Sequence, residues 1–176
     1  MRYVALLRGI NVGGNTMIKM GELRTLFEAL GFEDVATYIN SGNIAFNAGK
    51  KDSEAIIVTS IEAGIEKTLG KKIQVMLRTI SAIHDILKAN PFDGQFSSHK
   101  EMHVLFMKDE MPADLQSQLL DQQTENERFA IIGREIYCHL KLGVADSVLG
   151  KGFIEKKLKT PITARNWRTV QKLAEL

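Results

Sequence analysis

Arg8, Asn11, Gly13 and Gly14 stand at the end of an apolar run, Arg2–Leu7, and together they are the residues best placed to do chemistry. A strand ending this way projects a guanidinium and a loop of backbone N–H groups past the edge of a sheet. That combination suits a phosphate or carboxylate. The loop Asn11-Val12-Gly13-Gly14-Asn15 fits neither G-x-x-x-x-G-K-[ST] nor G-x-G-x-x-G, so neither the P-loop nor the dinucleotide fingerprint is present. Two readings stay open for each group. Arg8 could hold an anion or pair with a carboxylate such as Asp34 or Glu22, and the glycine pair could cradle a ligand or simply turn the chain.

Two further clusters carry polar chemistry. Tyr38, Ser41 and Asn43 flank a Ser41-Gly42 turn, where hairpin chemistry alone accounts for the residue types. Thr163 reads as the N-cap of a last helix beginning at Ala164, with Arg165 and Asn166 in its first turn and Trp167, Val170 and Ala174 as its buried stripe. Basic groups beside a helix N-terminus favour an anion. Arg168 and Lys172 read as its solvated face. The four histidines lack zinc-site spacing. His103 and His139 are expected on strands that could face each other. Cys138 alternates away from His139, which opposes a cysteine–histidine pair within that strand. No metal is expected, and no cofactor is identified.

The elements that must position these groups follow from hydrophobic period. Leu23, Leu26, Phe27 and Leu30 form one helical stripe that ends at Gly31. Val35–Asn40 and Asn43–Asn47 read as a hairpin, Ile57, Ile61, Ile65 and Leu69 as a second helix capped by Asp52 or Ser53, and Lys72–Arg78 as a fourth strand. That order, β-α-β-β-α-β, predicts a ferredoxin-like unit over 1–79. In such a sheet the first and third strands are antiparallel neighbours, which gathers Arg8, Asn11, Ser41 and Asn43 at one end.

The pattern begins again in the second half. Helix Ser81–Ala89, strand Met102–Met107, a helix opened by Pro112, and a hairpin about Gly133-Arg134 precede a glycine-interrupted segment and the last helix. We therefore expect an α+β chain of two tandem ferredoxin-like subdomains, 1–79 and 80–176, the second incomplete or modified through its last strand. A single larger α+β sheet is the alternative.

The totals bound the function classes. The 176 residues, 44% hydrophobic and 25% charged, fit one ordinary domain or two small ones. Lysine plus arginine, 23, nearly balances aspartate plus glutamate, 21, so no whole-molecule field draws nucleic acid. Only 7% of residues are aromatic, and no RNA-recognition motif is present, which leaves single-strand binding as the second reading. A protein-interaction scaffold is the third. One cysteine excludes an intrachain disulfide, and no segment reads as a signal peptide or membrane span, so a cytoplasmic setting without membrane partners is expected. Oligomeric state is not readable.

Three motifs resemble those of a bacterial family known as domain of unknown function 1697. They are Leu7-Arg8-Gly9-Ile10-Asn11-Val12-Gly13-Gly14, Tyr38-Ile39-Asn40-Ser41-Gly42-Asn43 and Thr163-Ala164-Arg165-Asn166-Trp167. The resemblance spans the chain from first strand to last helix. It implies an α+β protein of two related subdomains, and it implies no activity.

Overall fold

The computed structural model describes residues 1–14, 16–49 and 52–176. Asn15, read above as part of the glycine loop, lies outside the described residues. The chain is α+β, with two four-stranded antiparallel sheets and six helices among the described residues. It divides into two compact units, one of Met1–His84 with Leu173–Leu176 and one of Asp85–Lys172. No helix of the described residues is long and apolar enough to cross a membrane.

The first unit runs β1 (Arg2–Leu7), α1 (Met20–Ala29), β2 (Glu33–Tyr38), β3 (Asn43–Asn47), α2 (Glu54–Leu69) and β4 (Val75–Thr79), with sheet order β2-β3-β1-β4. Strand β1 lies between β3 and β4 and is antiparallel to both, with Leu6 opposite Asn43 and Leu7 opposite Val75. Alternate residues Tyr3, Ala5 and Leu7 enter the core against Leu23 and Phe27 of α1 and Ile57, Ile61 and Ile65 of α2. Aromatic contacts knit that core: Phe46 stacks on Tyr3 at 5.9 Å and meets the edge of Phe27 at 5.2 Å. Ser53, one of the two expected caps, opens α2 by accepting from the Ile56 amide at 3.3 Å. Helix α1 opens with half a capping box. The Glu22 carboxylate accepts the Lys19 amide at 3.3 Å, while a lysine side chain has no acceptor to return.

The unit boundary crosses α3 (Ile80–Lys88), and the second unit takes its last turn, then β5 (Met102–Met107), α4 (Ala113–Leu120), β6 (Glu127–Ile132), β7 (Glu135–Leu140), α5 (Phe153–Lys156), β8 (Ile162–Asn166) and all but the last residue of α6 (Trp167–Leu173). Its sheet order is β6-β7-β5-β8. Its core gathers Leu105, Leu119, Phe129, Ile136, Cys138, Leu140 and Ile154.

The expectation of an incomplete second sheet is corrected here. Residues 162–166 do not open a helix; they pair with β5, Thr163 opposite Phe106 and Arg165 opposite Val104. The strand follows Pro161 and begins with two β-branched residues, Ile162 and Thr163, which favour extended backbone over a helix start. The modification lies instead in the connection, where α5 has 4 residues against 16 in α2. Gly150 lets that connection fold tightly, since a Cβ there would overlap the Val144 carbonyl.

Registers recur between the units at an offset of one hundred residues in the central strands. Leu6 faces Asn43 as Phe106 faces Glu135, and Leu7 faces Val75 as Met107 faces Ile162. The Leu7 amide donates to the Gly42 carbonyl, and the Met107 amide to that of Arg134, both at 2.9 Å.

Candidate functional site

In the first unit the glycine loop is tied down by Asn11. Its Nδ2 donates to the carbonyls of Ile18 at 2.9 Å and Asn40 at 2.7 Å, and its Oδ1 accepts the Ile18 amide at 2.8 Å. One side chain thus fixes both ends of the loop and clips it to the β2–β3 turn. Asn11 itself holds the left-handed backbone at φ 54°, which asparagine tolerates better than most residues. Gly13 and Gly14 continue the loop at φ 57° and 77° and are exposed. Beside this clamp opens a cleft of about 490 Å³, lined by Asn11, Asn40, Met17, Ile18, Lys19, Met20 and Glu22. Lys19 is exposed and is one of the lining residues.

The hairpin residues are bound to each other. Asn43 has 0% of its surface exposed and donates from Nδ2 to the Tyr38 carbonyl and the Ser41 hydroxyl, each at 2.9 Å. Gly42 sits between them at φ 78°, where a Cβ would come within 2.7 Å of Ile10 Cδ1 and 2.8 Å of Leu7 Cβ. The turn therefore packs directly on the end of β1. Arg8 is half-buried and reaches the β4 side, where its guanidinium donates to Gln74 Oε1 at 3.1 Å and its amide to the Gln74 carbonyl at 3.0 Å. The carboxylates named as possible partners are engaged as well, Glu22 with the Lys19 amide and Asp34 with Asn47 Nδ2 at 2.6 Å. Arg8, Tyr38, Ser41 and Asn43 are not among the residues lining the cleft.

In the second unit Thr163, Arg165 and Asn166 occupy β8. Thr163 is not an N-cap: its hydroxyl accepts from Arg165 Nη1 at 2.8 Å. Asn166 is the cap, since its Oδ1 accepts the Thr169 amide at 2.9 Å. Arg165 is 6% exposed, and burial lowers its pKa to about 10, still charged at neutral pH. Its Nη1 also donates to the Ala164 carbonyl at 2.8 Å. At the matching place in the first sheet, Arg78 is buried and donates to the Leu77 carbonyl, likewise at 2.8 Å.

His103 and His139 do not face each other. His103 is opposite Cys138 and His139 opposite Met102, so the two imidazoles are on different faces of the sheet. One sheet row does bring together Cys138, His103 and Asn166, residue types that serve thiol hydrolases. Burial blocks that chemistry. It pushes the Cys138 thiol up, with Glu127 adding to the effect, and it pushes the His103 imidazole down, with His99 adding. Asn166 is committed to its cap.

Met17, Ile18, Lys19, Met20 and Asn40 are the cleft residues that sequence reading did not single out. Asn40 lay inside the quoted Tyr38–Asn43 motif, but its role is played by its backbone carbonyl, which no residue type announces. Phe46, on β3, is part of the aromatic core of the first unit.

This α+β chain belongs to a family of proteins of unknown function (DUF1697), whose model matches residues 1–137. The first two quoted motifs lie within that match and the third beyond it. Among solved structures, the chain is similar to a conserved bacterial protein, SP0830 of Streptococcus pneumoniae, at 25% identity and a TM-score of 0.80, over 99% of this chain and 97% of that one. No curated protein matches it.

Proposed function

We propose that the protein binds a small molecule bearing a phosphate or carboxylate, at the end of the first sheet where Arg8 and the glycine loop emerge. The observation that carries this reading is the Asn11–Asn40 clamp, which holds a cleft of about 490 Å³ beside the cationic Lys19 side chain. Small-ligand sites commonly have volumes of about 300–1,000 Å³ and a few fixed polar groups. Lys19 supplies the point charge, while Gly13 and Gly14, which do not line the cleft, shape the loop beside it. Asn11, Tyr38, Ser41 and Asn43 hold the frame, and Arg8 adds positive potential behind it. Glu22 already occupies the Lys19 amide, so the ammonium rather than the helix end meets the anion.

Each unit is read as a ferredoxin-like repeat, 1–79 and 80–176, descended from one duplicated ancestor. Shared registers and the matching Arg78 and Arg165 contacts support that reading. In this view Thr163, Arg165 and Asn166 are the second repeat's structural residues rather than ligand contacts.

Thermal unfolding in rising phosphate and acetate tests the binding proposal. The parent protein should be stabilised by at least one of the two anions, following RT ln(1 + [L]/Kd). Lys19→Ala should lose most of the shift, and Arg8→Ala a smaller part of it. Equal shifts in parent and variants would remove the site from this cleft.

A further inference from the structure

We infer that the ligand of this cleft is an amphiphile, an apolar body of ring or short-chain size attached to an anionic head. The inference rests on the anion-binding reading and adds what the rest of the molecule must be. Three of the large apolar residues left exposed lie on the two segments that Asn11 clips together. Val12 is 65% exposed, Met17 65% and Ile39 49%. Met17 lines the cleft, while Val12 and Ile39 immediately adjoin Asn11 and Asn40 in the chain. Scattered single apolar residues are ordinary, but a group on two clipped segments beside a cleft marks a binding surface.

The backbone adds an independent sign. Ile39 has φ 47° and Thr16 φ 50°. A β-branched side chain in that region is a steric outlier. Neither residue is rewarded by deep burial: Ile39 stands in solvent and Thr16 is only half-buried. Strain that holds an isoleucine outward is explained when a bound molecule covers it. Met17 and Met20 supply unbranched, polarizable walls that adapt to a flat ring or a flexible chain. Lys19 then meets the head group. The volume of about 490 Å³ fits a small molecule of this kind rather than a folded partner.

Calorimetric titration of the full chain with inorganic phosphate and with phenyl phosphate tests it. Phenyl phosphate should bind about tenfold more tightly or better, the size expected for burying part of a ring. That ratio should shrink toward one in Met17→Gln and in Ile39→Asn, two surface changes, the second of which suits the left-handed backbone. Equal affinities in the parent would overturn the amphiphile and leave the anion site standing. Binding of neither probe would overturn both. Sedimentation showing a dimer that these two variants abolish would also overturn it, because a second copy would then be what covers the apolar rim.

Discussion

Asn43 and Gly42 show how much of the quoted motif is spent on architecture. Removing the buried Asn43 amide leaves the Tyr38 carbonyl without that donor in a partly buried turn, so Asn43→Ala should cost about 1–3 kcal/mol. Gly42→Ala should cost at least as much, from overpacking against Ile10 and Leu7 of about 1–3 kcal/mol together with its positive φ. Urea unfolding of both variants checks these values. Tyr137 gives a pH signature. Its hydroxyl donates to the Ile86 carbonyl at 2.9 Å, and burial, with Glu135 adding, lifts its pKa well above the ordinary tyrosine value. A raised folded pKa means that the unfolded chain ionises first. The stability it confers is complete below about pH 10 and is lost as pH rises through the folded value. Tyr137→Phe should be less stable by about 0.5–1.5 kcal/mol at pH 8, and its urea midpoint should fall less than that of the parent between pH 8 and 10.5. Cys138, buried with a raised thiol pKa, should resist thiol reagents in the native state and react once urea unfolds the protein.

At the level of elements, what was readable from sequence is what depends on near neighbours along the chain. The stripes of α1 and α2, the Ser53 cap and both hairpin turns are short-range patterns, and each was found within a few residues of its place. Strand β8 was not, because its identity comes from pairing with β5, about sixty residues earlier. A threonine before an amphipathic run satisfied the rule for a helix start, and tertiary pairing overrode it. The true cap lies three residues on, so Asn166→Ala should destabilise the protein by about 0.5–2 kcal/mol, Asn166→Asp should restore most of that, and Thr163→Ser should leave α6 helicity unchanged. Denaturant titration with far-UV dichroism separates these outcomes. The candidate site divides the same way. Its glycine loop and Arg8 were evident as residue types, whereas the Asn11 clamp joins positions 29 residues apart through a backbone carbonyl.

For the whole molecule, a formal net charge of +2 leaves specificity to local geometry, since no long-range field gathers polyanions. The two units carry the same strand order, but the clamped glycine loop and its cleft belong to the first. Binding should therefore mark one unit and leave the other silent. Amide proton–nitrogen correlation spectra of the full chain, recorded during a phosphate titration, read this directly. We expect saturable shifts concentrated in residues 9–20 and 39–41, with 102–107 and 162–166 unmoved. Shifts centred on 162–166, or none at all at millimolar phosphate, would contradict a ligand site at the end of the first sheet.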